Sequence, residues 1–118
     1  MEAANSENDS VTVISNRNFE AQILGTHRPV LLLCMPNGQT CSAQVDVLRA
    51  VSDAYGDLIR VCRLGEDFIK GFKQMYNIKG MPVFLLFERG KEKNRMLGMA
   101  DREHLEVFLN QNLKFLKD

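Results

Sequence analysis

Two hydrophobic patterns alternate along the chain, and each is typical of one kind of secondary structure. Short apolar runs predict strands, and the longest of them predict strands covered on both faces, as in a parallel sheet. Apolar residues that recur every three or four positions predict amphipathic helices. The runs lie at residues 11–14, 30–35, 58–64, 83–87 and 95–99, and the helical patterns lie at residues 19–24, 41–55, 68–75 and 105–116.

The order of these patterns predicts an α/β fold. Strands and helices alternate through the first three strands, which is typical of βαβ units with parallel strands. Only a short turn around Gly90 separates the last two strands, so they are predicted to form an antiparallel hairpin. A final helix follows, with Asp101 as its predicted N-cap. We therefore expect a mixed sheet with helices on both faces.

The length of the chain suits a single domain. It has 118 residues, which leaves no room for a second hydrophobic core. Residues 1–10 are polar and show no apolar periodicity, so they are predicted to form a disordered N-terminal tail. The domain is predicted to span residues 11–118.

Composition and charge argue against several classes of function. Apolar residues make up 45% of the chain and charged residues 25%, as in average globular proteins. Fifteen Lys and Arg balance fifteen Asp and Glu, so no net positive charge would attract nucleic acid or an anionic membrane. No apolar run approaches the ~20 residues that a membrane-spanning helix needs, and the polar start lacks the pattern of a signal peptide. A cytoplasmic location without membrane or nucleic-acid binding is therefore expected.

The three cysteines, Cys34, Cys41 and Cys62, do not form a recognisable disulfide framework or metal-binding motif. Neither His27 nor His104 lies near a cysteine in the sequence, so the ligand spacing of a zinc site is missing. We expect no metal and no cofactor.

Several motifs resemble those of the thioredoxin family, and the likeness covers nearly the whole domain. They are the turn Asn-Gly-Gln-Thr-Cys at residues 37–41, the segment Tyr-Asn-Ile-Lys-Gly-Met-Pro at residues 76–82, and the glycines Gly90 and Gly98. The resemblance implies a thioredoxin fold with a five-stranded mixed sheet in the order 1-3-2-4-5. It also implies that the bond before Pro82 is cis and faces the turn at residues 37–41.

The departures from the family pattern concern its chemistry. Where the family motif Cys-x-x-Cys has its attacking cysteine, this chain has Gly38, and the second cysteine is retained as Cys41. Where the family has a buried aspartate that carries a proton, this chain has Leu32. The lysine partner of that aspartate corresponds to Arg63, which the resemblance places on the same face of the sheet as Leu32, with Cys62 on the opposite face. Thiol–disulfide exchange needs an attacking thiolate, so we do not expect dithiol–disulfide oxidoreductase activity.

The resemblance also implies a groove that binds an extended peptide beside the cis-proline. Seven residues would border it: Asn37, Gly38, Gly80, Met81, Pro82, Val83 and Gly98. The expected partner is a protein or peptide in extended conformation.

These observations leave three hypotheses. The first is a non-catalytic peptide- or protein-binding module, or a chaperone-like factor, linked to cell redox homeostasis. The alternative is a single-cysteine redox protein that uses Cys41 in peroxide, glutathione or mixed-disulfide chemistry. Its nearest analogy is the peroxiredoxins, which need an arginine beside the thiol, and Arg63 is the candidate for that role. The third is an unusual dithiol protein in which Cys34 and Cys41 form a disulfide.

Overall fold

The computed structural model describes residues 10–117, which fold around one five-stranded sheet. The strand order is β1-β3-β2-β4-β5, so the predicted thioredoxin topology is confirmed. Strands β1 to β3 are parallel to one another, whereas β4 is antiparallel to β2 and β5 is antiparallel to β4. The strands are β1 (Val11–Ile14), β2 (Val30–Cys34), β3 (Arg60–Leu64), β4 (Val83–Glu88) and β5 (Lys91–Leu97).

Three α-helices flank the sheet: α1 (Gln39–Tyr55), α2 (Ile69–Tyr76) and α3 (Arg102–Asn112). A five-residue π-helical segment, Glu20–Leu24, connects β1 to β2. Short 3₁₀ turns follow α1 and α3 and precede α2. Asp101 is the N-cap of α3, as predicted, and its side chain accepts a hydrogen bond from the main-chain N–H of His104.

The sheet separates two hydrophobic cores, and helices cover both faces. In the first core, buried side chains of α1 and α3 pack on alternate residues of the strands, among them Leu31, Leu33 and Val61. In the second core, α2 and the π-helical segment pack on the other set of alternate residues, among them Leu32 and Cys62. This two-sided packing explains why β2 and β4 are almost wholly apolar.

The face predicted for Arg63 is wrong. Leu32 pairs with Cys62 and Leu33 pairs with Arg63 in the parallel register of β2 and β3. Since paired residues of neighbouring strands point to the same side of a sheet, Cys62 shares the second core with Leu32 and Cys34. Arg63 therefore lies on the face of the first core, opposite Leu32.

Other differences concern element ends. Leu24 and Met75, the last residues of two of the predicted helical patterns, are exposed. The fifth strand begins at Lys91 rather than Arg95, because the first half of this edge strand is charged and carries no apolar signal. The predicted tail, residues 1–10, lies outside the described residues except for Ser10. Across residues 10–117, no helix is long and apolar enough to cross a membrane.

Candidate functional site

The turn between β2 and α1 forms one wall of the candidate site. Gly38 is the N-cap residue of α1, with φ 148° and ψ −175°, a combination that glycine alone adopts readily. The main-chain N–H of Asn37 donates to Oε1 of Glu66 at 3.0 Å, which ties the turn to the segment after β3. Gly38 is exposed, and no atom lies within 4 Å of the position that a Cβ would take.

Cys41 lies in the first turn of α1 with its side chain directed into the first core. Only 4% of the residue is exposed. Burial raises the pKa of the Cys41 thiol above its ordinary value, the Arg63 guanidinium opposes the rise, and the charge of Glu66 adds to it. The net effect is a raised pKa, so the thiol is protonated at neutral pH and is not an activated nucleophile.

Arg63 is the basic residue beside this thiol. Its Nη1 donates to Oδ1 of Asn37 at 3.0 Å, and its positive charge acts on the Cys41 thiol. A small cavity of about 290 Å³ lies here, and its lining includes Gly38 and Ser42. The arginine that the single-cysteine alternative needs is therefore present, although it comes from β3 rather than from the local sequence.

The second wall is the loop before β4. The Met81–Pro82 peptide bond is cis. Met81 is 36% exposed, and its Sδ lies 3.9 Å from the Sγ of Cys34 beneath it. The main-chain N–H of Gly98 donates to the carbonyl of Pro82 at 2.8 Å, which fixes the end of β5 against this loop.

Most of the predicted groove residues lie at the surface. Asn37, Gly38, Gly80 and Met81 are exposed, and Pro82 and Gly98 are partly exposed. Val83 is the exception, because its side chain is fully buried in the second core and its residue pairs with Cys34 on one side and Leu97 on the other. The prediction that Val83 borders the groove is wrong for its side chain, since the first strand residue after the proline points inward.

Sequence reasoning missed Leu97, which is 69% exposed at the end of β5. The position of a Cβ on Gly80 would be 3.9 Å from Cδ2 of Leu97, so the leucine side chain lies over the cis-proline loop. Met99, on the other side of Gly98, is 55% exposed. Met81, Leu97 and Met99 are here called the apolar lip. The sequence did offer a signal for Leu97, because it is a large aliphatic residue at the end of a mostly polar edge strand.

One buried polar residue links the two parts of the site. The amide of Gln44 in α1 forms two hydrogen bonds to the main chain of Ala100: Nε2 donates to its carbonyl at 2.8 Å, and Oε1 accepts from its N–H at 2.9 Å. Ala100 follows Met99 directly. The helix that carries Cys41 is therefore fixed to the loop that carries part of the apolar lip.

The structure does not bring the cysteines together. All three are free and buried. Cys34 lies in the second core and Cys41 in the first, so the approach of these two thiols that the third hypothesis requires is not observed. Burial raises the pKa of Cys34 to about 11, with Lys73 opposing the rise, and raises the pKa of Cys62 to about 12. Within the described part of the chain, no three His, Cys, Asp or Glu side chains are grouped as metal ligands would be.

Comparison with known proteins gives a consistent picture. A family model described as Thioredoxin matches residues 10–111. The chain is 29% identical over 110 residues to a thioredoxin of Acidithiobacillus ferridurans, covering 89% of this chain and 98% of the relative. It is 28% identical to Thioredoxin C-2 of Corynebacterium nephridii, covering 88% and 99% of the two chains. It is 24% identical to the chloroplastic Thioredoxin M5 of Oryza sativa subsp. japonica, covering 87% of this chain and 60% of that one.

Proposed function

The chain belongs to the thioredoxin family, and from that premise we propose that it binds an extended segment of a partner protein without performing dithiol–disulfide exchange. In this proposal the fold supplies a peptide-binding surface beside the cis-proline, as a binding module or chaperone-like factor in cytoplasmic redox homeostasis. A fold can keep its binding surface while its chemistry is lost, because function depends on the site rather than on the fold.

Three features support the absence of exchange chemistry. The residue at the position of the attacking cysteine is Gly38, so no thiolate is available there. The retained thiol of Cys41 is buried, and burial raises its pKa. Leu32, fully buried in the second core, has no group that could carry a proton.

The apolar lip carries the binding proposal. Met81, Leu97 and Met99 expose large apolar side chains on the cis-proline loop, at the end of β5 and directly after Gly98, and exposed apolar side chains of this kind are typical of an interaction surface. Within residues 10–117, the main-chain N–H and carbonyl of Met81 make no hydrogen bond. An extended segment could pair with these two groups and place its side chains against the lip.

A peptide-binding measurement tests this proposal. Reduced, carboxymethylated insulin B chain is a suitable probe because it has no free thiol. We expect it to bind the wild-type protein, and we expect Met81→Asp and Leu97→Asp to abolish binding. Leu58→Asp is a matched control, since Leu58 is also exposed but precedes β3, at the opposite end of the sheet. Equal binding by all three variants would contradict the assignment of the surface.

An insulin-reduction assay tests the absence of exchange chemistry. With dithiothreitol as reductant, we expect no acceleration over the uncatalysed rate, whereas a Cys-x-x-Cys oxidoreductase in the same assay should accelerate it. Activity that is lost in both Cys34→Ser and Cys41→Ser would establish a dithiol mechanism and overturn the proposal.

One observation favours the single-cysteine alternative. The Arg63 guanidinium acts on the Cys41 thiol and opposes the rise in its pKa that burial causes, and a cation beside a thiol favours the thiolate. In this alternative the Cys41 thiolate attacks hydrogen peroxide and the O–O bond breaks, so that a sulfenic acid forms and hydroxide takes up a proton and leaves as water. One partner thiol condenses with the sulfenic acid to give a disulfide and water, and a second thiol reduces that disulfide. Dimedone labelling after peroxide treatment tests this reaction. Labelling of the wild type that disappears in Cys41→Ser and falls in Arg63→Met would establish it.

A further inference from the structure

A basic groove lies beside the proposed peptide-binding surface. It has a volume of about 560 Å³ and runs along α2 and the loop that follows it. The amide side chains of Gln74 and Asn77 lie along it, between three lysines: Lys70, Lys73 and Lys79. We call this the lysine groove.

Among residues 10–117, the three ammonium groups of the lysine groove have no partners. Within the described residues, none of them forms an ion pair or a side-chain hydrogen bond, whereas Lys93 and several surface arginines do. Lys73 is partly buried, and its charge acts on the Cys34 thiol beneath it. Glu66 is the one carboxylate that lines the groove, and its Oε1 accepts the hydrogen bond from Asn37.

The chain carries as many acidic as basic residues, so three unpaired cations in one groove are a local feature rather than the result of a basic composition. Opposite charges across an interface steer association and select the partner. A groove of this kind is complementary to carboxylate side chains.

The position of the groove connects it to the surface already described. Lys79 lines the groove and is followed by Gly80 and Met81 of the cis-proline loop. At the other end, Glu66 is bonded to Asn37 of the turn before α1. A segment that lies on Met81 and continues past Lys79 would therefore enter the lysine groove.

We propose that the partner segment is acidic: an apolar residue rests on the apolar lip, and neighbouring Asp or Glu residues lie against Lys73 and Lys79. This inference rests on the proposed peptide-binding function and names the class of segment that it selects. Glu66 repels a carboxylate at its end of the groove, so the acidic residues are expected nearer the cis-proline loop.

Two short fluorescent peptides test the inference. One alternates leucine with glutamate and the other alternates leucine with glutamine, so they differ only in charge. We expect the acidic peptide to bind about fivefold more tightly at low ionic strength, which corresponds to two exposed charge pairs of about 0.5 kcal/mol each. The advantage should decrease as salt is added, because salt screens exposed charges.

Matched variants test which lysines cause the preference for the acidic peptide. The triple variant Lys70→Gln, Lys73→Gln, Lys79→Gln should lose the preference for the acidic peptide and keep its affinity for the neutral one. The control, Lys91→Gln, Lys93→Gln, Lys114→Gln, removes the same number of charges from β5 and the C-terminal turn and should keep the preference. If the control variant loses as much of the preference for the acidic peptide as the groove variant does, the attraction comes from the overall charge of the protein, and the inference is overturned.

The outcomes separate the inference from the proposed function. Binding of the neutral peptide that is lost in Met81→Asp, with no preference for the acidic peptide, would support the proposed function and overturn the acidic segment. Binding of the acidic peptide that depends on the lysines but not on Met81 would support the groove and overturn the proposed surface. If neither peptide binds, both proposals are overturned.

Discussion

At the scale of single residues, Gly38 has a main-chain role in addition to replacing the attacking cysteine. The turn places it at φ 148° and ψ −175°, a region that costs other residues roughly 1–3 kcal/mol. The residue therefore shapes the start of α1, besides lacking the thiol. Any side chain introduced here has open space around it but strains the main chain.

We therefore expect Gly38→Ala to lower the free energy of unfolding by roughly 1–3 kcal/mol, measured by urea denaturation. Gly71→Ala is the matched control, because Gly71 lies within α2 and a Cβ there would be 3.9 Å from the Phe68 ring, an ordinary contact. That variant should gain up to about 1 kcal/mol. If Gly38→Ala is as stable as the wild type, α1 does not begin with the geometry described.

Leu32 supports a second prediction at this scale. It is fully buried in the second core, so Leu32→Asp should cost at least about 4 kcal/mol, since an unpaired carboxylate would replace a packed side chain. Leu32→Met, which conserves volume, should cost less than about 1.5 kcal/mol. Urea denaturation measures both.

The position of Arg63 allows the Leu32→Asp variant to test whether the two side chains lie on opposite faces of the sheet. Because Arg63 lies on the opposite face, it cannot pair with an aspartate at position 32. A double-mutant cycle of Leu32→Asp with Arg63→Met should therefore give a coupling energy within about 0.5 kcal/mol of zero. A stabilising coupling well above that value would show that the two side chains meet.

At the scale of elements, the apolar pattern predicted the strands and helices that pack into the core. It did not predict elements that are held mainly by other interactions. The central strands were predictable from their continuous apolar runs, and α1 and α3 were predictable because their buried residues recur at helical spacing. The first half of β5 was not, because an edge strand is held by main-chain hydrogen bonds and can carry charged side chains on both faces. The π-helical form of Glu20–Leu24 has no distinct pattern either.

The start of α3 gives a prediction about pH. The main-chain N–H of His104 donates to Asp101, and the two side chains lie 2.6 Å apart. Two hydrogen bonds from His104 lower the pKa of Asp101: the main-chain N–H has the larger effect and the imidazole the smaller. The hydrogen bond to Asp101 and its charge raise the pKa of His104. Asp101 therefore stabilises the fold above its ordinary pKa, and that contribution disappears as the pH falls through its lowered pKa. His104 stabilises the fold below its ordinary pKa, and its contribution disappears as the pH rises through its raised pKa.

The pair is consequently strongest between about pH 4 and about pH 6.5. An NMR titration of the imidazole should give His104 a pKa above its ordinary value in the wild type and a lower one in Asp101→Asn. Asparagine is also a good N-cap, so α3 should remain intact in this variant. An unchanged titration of His104 would mean that the side chains do not interact.

At the scale of the whole molecule, the site depends on contacts that join distant parts of the chain. The resemblance identified two segments of the candidate site, at residues 37–41 and 76–82. It did not identify the bonds from Asn37 to Glu66 and from Gln44 to Ala100. Such bonds depend on the three-dimensional placement of single polar side chains, for which neither periodicity nor a motif gives a signal.

The distribution of the three thiols provides a natural reporter of how the molecule opens. Cys62 lies on β3 between β1 and β2, so a thiol reagent should reach it only when the sheet itself separates. Cys41 lies in the first turn of α1, where fraying of one helix end is sufficient. Site-resolved labelling in increasing urea should therefore modify Cys41 through local opening and Cys62 only through global unfolding. Equal labelling rates at every urea concentration would mean that the helix end and the sheet open as one cooperative unit.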